Sequence, residues 1–219
     1  MSWMEWIYPR RCILCDKVIP EGTCCIQCGE KQKILQFQYE IMDCKWIQQY
    51  TAVYWYVGPI RKAVLDCKFH DQLYHKRQFI ECIVQKLKFT NKNFDGILAI
   101  PSYRGNHNDV NLSHLLAKGI SRQLKIPYLS KALIKVKQTQ KQHDLPYEQR
   151  RRNLLNCFQA DQQMVQGKHI LLVDDIITTG STLAECAKVL YQSGASSVFS
   201  AVFAATPPKN YNIMNLLEE

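Results

Sequence analysis

No stretch of this 219-residue chain approaches the ~18 uninterrupted apolar residues that a membrane-spanning helix needs, so no membrane insertion is expected. The opening residues, MSWMEWIYPRRC, reach their arginines without first supplying an apolar core of signal-peptide length. A cytoplasmic location is the expectation. Internal repeats and low-complexity tracts are absent too, which sets aside repeat arrays and biased, unstructured chains. Negative charge is scarce: 19 Asp and Glu stand against 28 Lys and Arg, for a net +9 and a pI near 9.0. Such a balance suits an acidic partner (nucleic acid, nucleotide phosphates or an anionic membrane surface), or it is simply a basic surface. What the chain does have is 47% hydrophobic content and 21% charge, enough for a real core. The length fits one domain with an appendage, or two small domains.

The first thirty residues are dense in cysteine and turn formers and cannot bury much core. Residues 31–90 carry mixed signals. YTAVYWYVG (50–58) is aromatic and β-branched and reads as a strand, and PIRKAVLDCKF (59–69) begins with a proline suited to a helix start. From residue 94 strands and helices alternate. FDGILAIPS, ALIKV (132–136), HILLVDD and SSVFSAVFAA (196–205) read as strands. DVNLSHLLAKGISRQL (109–124), with Asp109 as its cap, and STLAECAKVLYQSG (181–194), stopped by Gly194, read as helices. That alternation argues for an α/β fold with a parallel sheet flanked by helices.

The most informative stretch is HILLVDDIITTGSTLAE (169–185). Ligands of open α/β sheets bind beyond the carboxyl ends of the strands, and Asp174 and Asp175 sit at such an end. The following loop leads into a helix whose first-turn N–H groups and positive dipole end attract an anion. Gly180 permits a positive φ or close backbone approach, and Thr178, Thr179, Ser181 and Thr182 offer hydroxyls. A phosphate cradle beside two carboxylates suits a phosphorylated sugar, with Mg²⁺ reached directly or through water.

CILC (12–15) and CIQC (25–28) form C-x2-C…C-x2-C with nine residues between the pairs. Four thiolates in that pattern suit a tetrahedral structural Zn²⁺ held by Cys12, Cys15, Cys25 and Cys28. Cys24 adjoins Cys25 and is the alternative ligand. Cys44, Cys67, Cys82, Cys157 and Cys186 stand alone on mostly apolar faces and read as small core residues. Between residues 131 and 152, Lys131, Lys135, Lys137, Lys141, Arg150, Arg151 and Arg152 face only Asp144 and Glu148. Such a run can track a nucleic-acid backbone without reading sequence, or close as a loop over a phosphosugar. Tyr103, Tyr128 and Tyr147 lie close by in sequence and could stack bases.

VDDIITTGST closely resembles the signature of type I phosphoribosyltransferases, which bind phosphoribosyl pyrophosphate. The resemblance implies Asp174 and Asp175 on the ribose hydroxyls in a catalytic role, residues 178–182 around the 5-phosphate, Mg²⁺ with the leaving group, and Arg104 of PSYRG (101–105) on pyrophosphate. Joined to a four-cysteine front, the chain resembles the ComF (ComFC) family of competence proteins. YVGPIRKAVLDCKF, DGILAIP and the spacing in TQKQHDLPYEQRRRN…F add to that likeness. Where family members carry an RGFNQ-like stretch, this chain reads RGNHNDVNLSHLLA.

The resemblance implies a zinc finger over 1–30, a linker or hood over 31–90 and a phosphoribosyltransferase-like domain over 91–219. It further implies a role in bringing single-stranded DNA into the cytoplasm during natural transformation, at the inner face of the membrane and beside a ComFA-like helicase ATPase. The alternative is a working Mg²⁺-dependent phosphoribosyltransferase acting on an unidentified base or amine.

Overall fold

The computed structural model describes residues 9–37, 46–47, 50–69, 73–102, 111–137, 154 and 156–208. In chain order its elements are α1 (Gly29–Leu35), β1 (Tyr50–Trp55), α2 (Gly58–Phe69), α3 (Lys76–Lys88), β2 (Gly96–Ala99) and α4 (Leu112–Leu124). There follow β3 (Leu133–Lys135), β4 (Phe158–Ala160), α5 (Gln162–Val165), β5 (His169–Ile177), α6 (Ser181–Gln192) and β6 (Ser197–Ala205). The main sheet is parallel, in the order β1-β6-β5-β2. β3 and β4 pair antiparallel as a separate ribbon.

The two longest strands explain the architecture. β5 opens with a run of buried apolar residues from Ile170 to Val173, and β6 is buried from Val198 to Ala205. A strand without polar alternation must be covered on both faces, which is the condition of a parallel sheet with flanking helices. α3 supplies one cover: the Phe79 ring stacks on Phe203 of β6 at 3.7 Å, and Tyr54 of β1 meets the same ring edge-on at 5.5 Å. α3 also packs on α4, where Gly119 faces Ile80; a Cβ on Gly119 would lie 2.9 Å from Ile80 Cγ1, so any larger residue there would force the Ile80 side chain to move. Residues 50–88 thus contribute an edge strand and two helices to the same sheet and the same buried cluster as the later strands.

Both sheet edges are covered. Gln36 bridges Tyr54 antiparallel, and the Phe37 amide donates to the Val53 carbonyl at 2.9 Å. On the far side the Ile97 amide donates to the Pro127 carbonyl, and the Leu129 amide to the Ile97 carbonyl, each at 2.9 Å. The expected elements appear with corrections: the strand expected over 50–58 ends at Trp55 and Gly58 already belongs to α2, and ALIKV forms the antiparallel ribbon rather than part of the main sheet. α4 begins at Leu112, and its cap is Asn111, whose side chain accepts from the His114 amide at 3.0 Å; Asp109 lies outside the described residues. Cys67, Cys82, Cys157 and Cys186 are buried, as small core residues should be, and Cys44 lies outside the described residues. Among the described residues, no helix is long and apolar enough to cross a membrane.

Candidate functional site

At the carboxyl end of β5 the chain brings four side chains together from three elements. Asp174 and Asp175 come from the strand, Ser113 from the first turn of α4, and Lys68 from the last turn of α2. The Ser113 hydroxyl donates to Asp174 Oδ1 at 2.6 Å, and the Asp175 amide donates to the same oxygen at 2.9 Å. Asp175 Oδ1 accepts from the Ile176 amide at 2.7 Å, while its Oδ2 pairs with Lys68 Nζ at 2.6 Å. The Asp175 side chain is 6% exposed and that of Lys68 24%, so this ion pair is shielded from solvent and loss of one partner would leave the other charge buried and uncompensated.

Electrostatics divides the pair of carboxyls. Burial and the adjacent Asp175 charge raise Asp174 to about 7, against the opposing pull of Ser113 and Lys68. Burial opposes the charge on Lys68, yet Asp175 and Asp174 outweigh it and raise the ammonium above its ordinary value. A strand end that holds two neighbouring carboxyls in this way has oxygens suited to sugar hydroxyls or to a hard cation such as Mg²⁺.

Beyond β5 the loop 178–180 turns into α6. Gly180 takes φ +72° at the helix start, in the left-handed region that favours glycine. The hydroxyls of Thr179 and Ser181 bond each other at 3.0 Å; Thr178 is exposed and Thr182 is half-buried on the first turn. Hydroxyls and backbone amides therefore converge at a twelve-residue helix, where the dipole favours an anion. Beside this end of the sheet lies a cleft of about 300 Å³, lined among others by Pro101, Ser102, His114, Tyr128, Lys131 and Lys135. The Tyr128 hydroxyl is bonded to His114 Nδ1 at 2.7 Å. Arg104, Tyr103 and Tyr147 lie outside the described residues.

Of the basic run, Lys135 is half-buried with Nζ 5.8 Å from the Phe158 ring centre, and Lys137 is exposed. Lys141, Arg150, Arg151 and Arg152 lie outside the described residues.

The cysteine front folds as a knuckle. Arg11 bridges Val18 antiparallel, the Cys12 amide donates to the Lys17 carbonyl at 2.8 Å, and Asp16 sits at the turn with φ +63°. The sulfurs of Cys12, Cys15, Cys25 and Cys28 all lie within 4.8 Å of one another. Cys15 and Cys25 are 3.7 Å apart, close to the ~3.8 Å edge of a tetrahedron with ~2.3 Å metal–sulfur bonds. Four thiols in this arrangement fit a metal ion such as zinc; Cys24 is not in the group. The knuckle is held on α3 by Arg10, which grips both carboxylate oxygens of Glu81 at 2.8 and 2.9 Å, and by Gln78, which donates to the Arg11 carbonyl at 2.7 Å.

Sequence reading missed Lys68 and Ser113, and did not assign Asn111 as the cap of α4. Lys68 lies in the noted stretch YVGPIRKAVLDCKF, but nothing local in that stretch points to a carboxylate so far along the chain.

A profile of the phosphoribosyl transferase domain matches residues 111–215, and the parallel sheet with flanking helices is the fold of that class. The chain belongs to the ComF family of competence proteins, which holds the DNA utilization protein YhgH and competence protein F. It is 40% identical over 203 residues to YhgH of Escherichia coli K12, covering 85% of this chain and 86% of that one. With YhgH of the O157:H7 strain the match is 41% over 106 residues, 48% of this chain and 46% of that one. Competence protein F of Haemophilus influenzae is 29% identical over 204 residues, 85% of this chain and 86% of that protein. Among solved structures, the glutamine phosphoribosylpyrophosphate amidotransferase of B. subtilis aligns at 21% identity and a TM-score of 0.42, over 58% of this chain and 25% of that one.

The raised value of Asp174 has a testable sign. A carboxyl whose folded value lies above its unfolded one stabilises the fold while protonated, and that contribution is lost as pH climbs from ~4 through ~7. Asp174→Asn keeps the shape without the charge. Its melting temperature relative to the parent should therefore rise more at about pH 8 than at about pH 5. Thermal melts at the two pH values check this, and an equal or reversed difference would contradict it.

Proposed function

We propose that this protein handles incoming single-stranded DNA during natural transformation, with a phosphoribosyl-pyrophosphate-type pocket at the end of β5 and a structural zinc on its knuckle. The observation that carries the DNA reading is the 40% identity across 86% of a DNA utilization protein. The competence protein F relative and the net +9 charge support it. Lys135, Lys137, Lys141, Arg150, Arg151 and Arg152 are the candidate backbone contacts, because a run of cations can follow phosphates without needing a sequence. The place of action is the cytoplasm, beside a ComFA-like helicase ATPase.

In the pocket, Asp174 and Asp175 accept from the ribose hydroxyls, and residues 178–182 receive the 5-phosphate. Arg104 answers the pyrophosphate. Mg²⁺, when bound, neutralises pyrophosphate charge. Ser113 holds Asp174 in the orientation seen, and Lys68 does the same for Asp175. On the knuckle, Cys12, Cys15, Cys25 and Cys28 supply the thiolates of a closed tetrahedral zinc site.

Three measurements test this reading. Labelled single-stranded DNA should shift with zinc-loaded protein at ~50 mM salt and largely lose the shift by ~200 mM, since counterion release makes backbone binding salt-sensitive; no shift at the lower salt would sink the DNA role. Isothermal titration of phosphoribosyl pyrophosphate with Mg²⁺ should show binding that the Asp174→Asn/Asp175→Asn variant lacks, whereas a silent titration into folded wild type would remove the sugar-phosphate pocket. Elemental analysis should find one zinc per chain, and chelation should lower the melting temperature, because metal-binding energy in such a module is folding energy. An unchanged melt after metal removal would overturn the structural role.

A further inference from the structure

The amino ends of the parallel strands form a second face, at the opposite end of the sheet from Asp174 and Asp175. The segment KLKFTNKNF (86–94) leaves α3 and enters β2 across this face. Phe89 is 85% exposed, between exposed Lys88 and, three residues on, exposed Lys92. Phe94 is half-buried against Phe199, with ring centres 5.8 Å apart, and Lys92 Nζ lies 5.5 Å above the Phe199 ring. Two clefts meet here and share Lys92, Asn93 and Phe94. One, of about 570 Å³, runs toward Lys88 and Ile126; the other, of about 290 Å³, runs toward His169 and Tyr191. Exposed Lys125 adjoins the first cleft in sequence. The neighbouring acid, Asp95, is engaged: its Oδ2 accepts from the His169 amide at 2.8 Å.

A single exposed aromatic is ordinary on a protein surface. Lys88, Lys92 and Phe94 lining two joined clefts, with the exposed Phe89 ring between those lysines in the chain, are the components of a different surface. Bases stack on the rings irrespective of sequence, and the lysines meet the phosphates between them. We propose that this face is a single-stranded nucleic-acid track, with bases on Phe89 and Phe94 and phosphates on Lys88 and Lys92. Single strands fit because their bases have faces free to stack, whereas a duplex keeps them covered. The inference rests on the DNA reading above and places a contact where the basic run 131–152 does not lie. From His169 to Asp174 is five strand residues, about 17 Å at ~3.3 Å each. DNA on this track therefore leaves the sugar-phosphate end open.

The test is fluorescence anisotropy with a labelled oligothymidylate over a salt series. It compares zinc-loaded wild type, Lys88→Ala/Lys92→Ala, Phe89→Ala and Arg150→Ala/Arg151→Ala/Arg152→Ala, each checked for an unchanged thermal melt. The lysine variant should weaken binding and lower the slope of log K against log salt by about 1.4, from ~0.7 per lost contact to a single strand. Phe89→Ala should weaken binding about tenfold with the slope unchanged, as loss of a stacked base would. Added phosphoribosyl pyrophosphate should leave all of this unmoved. Wild-type affinity and slope in both patch variants, with loss only in the arginine variant, would overturn the track and leave the DNA reading standing. No binding by wild type would remove that reading and the track with it. Equally tight, Phe89-sensitive binding of polyglutamate would mark an acidic-polypeptide site and overturn the proposal.

Discussion

Two carboxyls on consecutive residues at the end of a buried strand repel each other at a distance that low dielectric makes costly. The fold meets this with one cation and one hydroxyl, each from a different helix. Lys68 reaches Asp175 only if α2 ends where it does, and Ser113 reaches Asp174 only if α4 starts where it does. Those starting points depend in turn on how the helices lie against the sheet. α3 is seated on β6 by the stack of Phe79 on Phe203, and α4 comes close to α3 because Gly119 leaves room for Ile80. The geometry of a few polar atoms is thus carried by apolar packing well removed from them.

Much of this was legible in the sequence, for a physical reason. The strands β5 and β6 and the helix α6 have periodicities strong enough to state their own burial, and the C-x2-C pairs state their own pairing. The carboxylates and the hydroxyl-rich loop fall at a strand end because strand, loop and helix are consecutive there. What was not legible is non-local. Neither the lysine at the end of α2 nor the serine after Leu112 carries a local sign of its partner in β5. The short ribbon of β3 and β4 lacks the length to give a clear alternation, and α3 was hidden in a region of mixed signals. The cap of α4 moved from Asp109 to Asn111 because both residue types cap well and only the packed turn selects between them.

The proposed activities divide along the strand direction. A parallel sheet has unlike ends. The amino termini of α4 and α6 and the last turn of α2 gather at the carboxyl end with its hydroxyls and carboxyls, whereas the carboxyl terminus of α3, with lysines in its last turn, lies at the other. Lys86 and Lys88 close α3 in this way, and Phe89, which caps the helix, is left outside the core. One polarity of backbone thus yields one end suited to a compact phosphorylated sugar and another suited to an extended polyanion.

The antiparallel contact of Gln36 and Phe37 with β1 gives the cysteine knuckle a further significance. An open strand edge is a template for pairing with a neighbouring chain. The segment that shields β1 follows directly from α1, which follows from the last cysteine of the cluster. Whatever orders the knuckle therefore also keeps the sheet from recruiting other copies of itself. A chain whose knuckle lost its order would show the loss first as insoluble protein.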